Sequence, residues 1–189
     1  MIKKVILIVA ALFLTALFLS TIGSFYTGYS VLNQKEITLK NYPYPFIKNF
    51  VPNDVYVVLP YDSRYEEYNA AINIARSLKG TNPLLQAPQI VTINEIPEGV
   101  HNLILIGNPC NNQLIAKELS TDECNLGLQK GQGYLKLINH EKSSTLIISG
   151  YSIKDIPNAV SVIVNNNYYP LRGNEIEVSG TKNLVLNYH

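Results

Sequence analysis

Short apolar runs, each stopped by a proline or glycine, alternate along this chain with segments of helical periodicity. Residues 55–59 (Val-Tyr-Val-Val-Leu) stop at Pro60; residues 90–93 lead through Pro97 and Gly99 to residues 103–106 (Leu-Ile-Leu-Ile), which stop at Gly107, Asn108 and Pro109. The unbroken run at 103–106 reads as a central strand buried on both faces. Asp62 or Ser63 caps a helix through Lys79 with Tyr65, Tyr68, Ile72, Ala75 and Leu78 or the stem of Lys79 inward, and Asn111 and Asn112 can cap a short helical segment carrying Leu114, Ile115 and Leu119. Gly131-Gln132-Gly133 precedes residues 134–139, which turn at 141–144 into residues 145–149 and form a β-hairpin ending at Gly150. Ser152 or Asp155 caps a further helix with Ile156, Ala159, Val160, Ile163 and Val164 as its buried stripe and Pro157 in its first turn, where a missing N–H costs nothing. Residues 175–178 and 184–186, joined across Gly180, complete the pattern. It predicts an α/β layered fold: a mixed, largely parallel sheet flanked by helices, with an antiparallel portion late in the chain.

Residues 5–22 are 18 positions without charge, mildly polar only at Thr15, Ser20 and Thr21, at the lower end of what crosses a bilayer. Lys3 and Lys4 before them hold the N-terminus in the cytoplasm and send residues 24–189 outward. The length favours an uncleaved anchor, so one N-terminal transmembrane helix is expected ahead of the fold. The alternative is a signal segment cleaved after Thr21-Ile22-Gly23, which would leave the protein secreted. The chain divides into an anchor or signal segment at 1–23, an extracytoplasmic tether at 24–40, and an α/β domain at 41–189. Tyr42-Pro43-Tyr44-Pro45-Phe46 opens that domain in extended conformation, since each residue before a proline is pushed out of the α region.

Charge changes this picture by exclusion. With 15 basic and 14 acidic residues, and no Lys/Arg cluster besides Lys3 and Lys4, the electrostatic footprint of a nucleic-acid binder is missing. Thirteen tyrosines, no tryptophan and only 15% charged residues suit an exterior that faces the outside of a cell. Cys110 and Cys124 are the only cysteines, and outside the membrane a bridge is their natural state, with free buried thiols or a metal site as the alternatives. Closing the 13 intervening residues contributes about 3 kcal/mol in the chain-entropy description. His101 and His140 have no ligand-like spacing to these cysteines.

Gly107-Asn-Pro-Cys110 and Gly131-x-Gly133 lack the GxGxxG and Gly-Lys-Ser/Thr patterns of phosphate loops, so Gly107, Pro109, Gly131, Gly133 and Gly150 are read as structural turns. Ser149-Gly150-Tyr151-Ser152 lacks the closing glycine of a nucleophile turn, because residue 154 is Lys. Among the acidic groupings, Glu66-Glu67 and Asp122-Glu123 are neighbours in sequence that diverge in space, and Glu175/Glu177 is the third; all are read as solvated. No catalytic residue, cofactor or metal site is expected.

Three pieces together resemble the domain of archaeal S-layer (surface-layer) proteins: Asn102-Leu-Ile-Leu-Ile-Gly-Asn-Pro-Cys110; Cys124 leading to Gly127 and then Gly131-Gln-Gly133; and Leu146-Ile-Ile-Ser-Gly-Tyr-Ser152 before an Asp-containing helix. Tyr42-Pro-Tyr-Pro-Phe-Ile47 is similar to that family's opening segment. The resemblance spans residues 37–180. It implies a non-catalytic structural role at the archaeal cell surface, tethered to the membrane and in contact with envelope or S-layer proteins or copies of itself. Two rival expectations stand beside it: an extracytoplasmic module holding a small ligand or glycan at the strand ends near Gly107 and Gly150, and an envelope hydrolase.

Overall fold

The run at residues 103–106 does become a central strand, which begins one residue earlier at Asn102. In the computed structural model, which describes residues 36–80, 86–180 and 183–189, the elements are β1 (Ile47–Lys48), β2 (Val51–Pro52), β3 (Val55–Leu59), α1 (Tyr65–Lys79), β4 (Gln89–Thr92), β5 (Asn102–Ile106), α2 (Gln113–Leu119), β6 (Gly133–Asn139), β7 (Ser144–Gly150), α3 (Ile156–Val164), β8 (Glu175–Ser179) and β9 (Val185–Tyr188). The first two strands form a separate hairpin; the rest build one seven-stranded sheet in the order β4-β3-β5-β7-β6-β8-β9. Its side chains alternate between two cores, as a period of two requires. Val57, Ile104, Leu146, Leu135 and Ile176 face α1 and α3, whereas Val58, Leu105, Ile147 and Tyr134 face Ile115 of α2 and Leu128.

The expectation of a largely parallel sheet preceded by a transmembrane helix is corrected. β4, β3, β5 and β7 pair in parallel through three ladders, and β7–β6, β6–β8 and β8–β9 pair antiparallel through three more. The turn after β6 is too short for anything but an antiparallel return. β8 then pairs with β6 rather than β7, and β9 folds back on β8, so half the sheet is antiparallel. Among the described residues no helix is long and apolar enough to cross a membrane. Residues 1–23, on which the anchor was expected, lie outside the described residues, as does most of the tether.

Helix α1 is rotated from its expected setting. Tyr65 and Tyr68 are 77% and 52% exposed, and the buried face is Ala70, Ala71, Ile74, Ala75 and Leu78 together with Glu67. Small alanines let the helix backbone lie close to α3 and the sheet, where a tyrosine ring would hold it away. Acidic Glu66 and Glu67 in its first turn and basic Arg76 and Lys79 in its last complement the helix dipole, and Gly80 ends it at φ 63°. In α2 the expected cap is present, Asn112 accepting the Leu114 N–H at 3.1 Å. In front of α3, Asp155 Oδ2 accepts from the Ser152 N–H and hydroxyl, at 3.1 and 2.7 Å, so the two expected caps hold each other and neither side chain caps the helix. Leu103 is only partly buried, so β5 is not covered evenly on both faces.

Gly133 begins β6, and Gly150 ends β7, directly opposite it. A Cβ on Gly133 would stand 2.7 Å from the Ala159 nitrogen and 3.0 Å from its Cβ, so the missing side chain is what lets α3 lie against the sheet. Gly133→Ala is expected to destabilise the protein by about 1–3 kcal/mol, since backbone rather than a flexible side chain must move. Urea unfolding followed by circular dichroism measures this; an unchanged midpoint would show that α3 can shift at little cost.

Candidate functional site

In the parallel half of the sheet the chain runs from β3 outward to β4 and then returns across β3 to β5, which makes the carboxyl ends of β3 and β5 a switch point. Folds of this kind hold ligands in that crevice. Here it is filled by the protein itself. Glu67, fully buried, accepts the Asn111 side-chain amide at 2.5 Å through Oε1 and the Arg64 backbone N–H at 2.8 Å through Oε2. Asn111 Oδ1 accepts the Asn108 N–H at 2.9 Å, Asn108 Oδ1 accepts the Cys110 N–H at 3.0 Å, and Asn112 donates to the Ile106 carbonyl at 3.0 Å. The carboxylate occupies the place at the α1 N-terminus that an anionic ligand would take. Gly107 has φ 129°, where an L side chain is strained, and a Cβ there would also press on Asn111 Oδ1 at 2.7 Å. The other expected ligand turn is closed as well: around Gly150 the backbone of Ser152, Asp155 and Ile156 stands 3.0 Å from where a Cβ would be.

Cys110 and Cys124 are joined in a disulfide with Cα atoms 5.1 Å apart, and the bridge straddles α2. Pro109 stands in the turn just before it. Gly131, at φ 90°, lies in the loop that follows, and its carbonyl accepts the Asn158 side chain of α3 at 3.0 Å. Among the described residues no group of three or more His, Cys, Asp or Glu could hold a metal ion.

Each of the three histidines touches a carboxylate. His101 Nδ1 is 2.8 Å from Asp54 Oδ2, its Nε2 faces the Pro97 carbonyl at 3.2 Å, and its ring meets Tyr56 edge-on. With both nitrogens engaged, the ring is a clip between the start of β5 and the loop before β3. His140 Nε2 faces both Glu118 Oε2, at 3.2 Å, and Thr145 Oγ1, at 3.3 Å. A hydroxyl–imidazole–carboxylate relay needs the two partners on different ring nitrogens, so this trio does not form one. His189 Nε2 is 3.4 Å from Glu177 Oε1. Ser149, from the rejected nucleophile turn, is fully buried with its Oγ unpartnered, and no histidine is bonded to Ser152.

Glu175 and Glu177 stand two residues apart on β8, on one face of the sheet, opposite Lys136 and Tyr134 of β6. They are half-buried rather than fully solvated. Burial pushes the Glu175 carboxyl up, but hydrogen bonds from Lys136, at 2.7 Å, and from Tyr134 outweigh it and hold the group below the usual carboxylate range. Burial, reinforced by these two acids, pushes the Tyr134 phenol up. The close contacts of Glu175 are with Lys136 and Tyr134 and those of Glu177 with His189 and Gln132, although both acids act electrostatically on Tyr134.

The feature that the sequence pattern did not reveal is the tip of the β1–β2 hairpin. Asn49 and Phe50 both have positive φ, 52° and 64°, and Phe50 is 85% exposed. Asn49 is a usual turn former, but its partner in such a turn is ordinarily glycine. Val51, the next residue, is 51% exposed.

Glu67→Ala is expected to cost about 1–3 kcal/mol, because the Asn111 amide and the Arg64 N–H lose a buried acceptor; the midpoint of chemical unfolding reads it directly. The His101 pair gives a pH signature. Its hydrogen bond to Asp54 holds the imidazole pKa above the ordinary value, so its stabilising contribution is full below the unfolded value of about 6.5 and disappears as pH rises through the folded pKa. The stability difference between the native protein and His101→Gln, measured across that range, is expected to shrink with rising pH; a constant difference would remove the ion pair from the account. No protein-family model and no curated protein matches this chain.

Proposed function

We propose that this chain is a non-catalytic structural module of the cell envelope, of the archaeal S-layer type, which faces outward and works through contacts with other envelope proteins or copies of itself. The observation that carries this reading is Phe50. A bulky L-residue in the left-handed region costs roughly 1–2 kcal/mol, and at 85% exposure the ring recovers almost nothing from the rest of the domain. Strain of this kind, held at the tip of a hairpin, fits an anchor that inserts into a partner. Val51, the next residue, adds exposed apolar surface to it. The Cys110–Cys124 bridge supports an oxidising compartment. The uncharged residues 5–22 behind Lys3 and Lys4 support delivery to the membrane and outward display.

This reading makes two opposite demands on one substitution. Phe50→Gly is expected to stabilise the isolated protein by about 1 kcal/mol, since glycine adopts positive φ freely. The same change is expected to abolish cross-linking in whole cells to surface-layer subunits or to other copies of the chain. Undiminished cross-linking by the variant would exclude the hairpin as the contact. Protease added to intact cells is expected to remove the folded domain, and recovery of the protein from the cytosol would overturn the outward topology.

A further inference from the structure

Tyr65, Asn69 and Asn73 recur every four residues along α1, and Pro157, Ser161 and Asn165 do the same along α3 and its C-cap. Side chains at that spacing share one side of a helix. Since β3 and β7, the strands that precede these helices, are both parallel to β5, the two rows run alongside each other. They wall a groove of about 530 Å³ whose floor includes the buried Ala70 and Val160 and whose rim includes Glu66.

The walls carry unengaged polar groups. Among the described residues, Asn69 and Asn73 have no hydrogen-bond partner for their side chains, and Glu66 has no ion-pair partner. Asn165 donates to the Ser161 carbonyl at 2.8 Å and keeps its own amide oxygen free. Among the described residues, no lysine or arginine lines the groove.

The geometry points to a binding groove for a neutral oligosaccharide. An amide presents a donor and an acceptor side by side, as each sugar hydroxyl does, and a carboxylate can accept from two neighbouring hydroxyls. The exposed face of Tyr65 offers a flat apolar surface for one side of a ring. An anionic ligand would meet Glu66 without a compensating cation. A purely apolar one would strip water from three amides and return no hydrogen bonds. An extended peptide draws its specificity from side-chain pockets, whereas the aliphatic lining here is limited to Ala70, Pro157, Val160 and Val164. Eight residues of helix rise about 12 Å, roughly the length of two or three sugar rings. The inference stands apart from the role of Phe50, which lies on the β1–β2 hairpin and does not line this groove.

The test uses the full-length chain, ¹⁵N-labelled and kept soluble in a detergent without a sugar headgroup. It is titrated separately with maltotriose, mannotriose, tri-N-acetylchitotriose and tetra-alanine to about 10 mM, which detects even millimolar dissociation constants. The expected result is saturable shifts of the Asn69, Asn73, Ser161 and Asn165 amides with at least one of the trisaccharides. The double variant Asn69→Ala/Asn73→Ala is expected to weaken that binding about tenfold or more, the equivalent of losing one or two hydrogen bonds, at an unchanged melting temperature. Tyr68→Ala, outside the groove, is expected to leave affinity unchanged. The proposal is overturned by silence with all three sugars, by shifts confined to other residues, by affinity that survives the double variant, or by stronger shifts with tetra-alanine.

Discussion

A carboxylate taken wholly out of water constrains this protein more than any other group. Burial of a carboxyl group is tolerable only when its oxygens are satisfied by hydrogen bonds, and Glu67 obtains one from the Arg64 backbone just before its own helix and another from the side chain of Asn111 in the turn after β5. Meeting that demand fixes much else. Asn111 lies where Gly107 leaves room, and the positive φ of residue 107 favours glycine there. Asn108 must bend the turn so that Cys110 reaches Cys124, and Asn112 must look back to Ile106 while capping α2. The central strand, the first helix and the bridged loop are thus tied to one another by a single acid.

Local pattern made the strands around β3, β5 and the β6–β7 hairpin legible, because uninterrupted apolar runs with a breaker at the end have few other meanings. It also revealed the cap at Asn112 and the pairing of the only two cysteines. What it could not reveal was decided by distant partners. The inward face of α1 follows the alanines that permit close approach to α3, whereas hydrophobic spacing alone nominated Tyr65 and Tyr68. The balance of parallel and antiparallel pairs depends on β8 choosing β6 over β7, a choice between two apolar neighbours that no single segment encodes.

The candidate sites were legible to different degrees for similar reasons. Adjacent Glu66 and Glu67 do diverge, as neighbours on a helix must. One goes to the rim of a groove and the other into the interior, so a reading that treats both as solvated holds for only one of them. Gly107 was recognisable as a tight turn, but the crevice beside it is filled by residues whose convergence spans more than forty positions. Phe50 carried no signal of its own, since an exposed aromatic and a buried one look alike until the backbone angle is known. The row of Tyr65, Asn69 and Asn73 was present in the spacing, yet it gains chemical meaning only opposite Ser161 and Asn165.

The bridge around α2 has a topological consequence. It closes a covalent ring from Cys110 to Cys124, and within that ring Asp122 and Glu123 are exposed. Before the ring lie three of the four parallel strands; after it come the fourth and the entire antiparallel half of the sheet. A single backbone break anywhere between the two sulfurs therefore yields no fragments. The two halves stay covalently joined and remain hydrogen-bonded through β5 and β7. Damage to the backbone in this exposed acidic loop would leave one intact particle, a form of durability that depends on where the cysteines stand rather than on how stable the fold is.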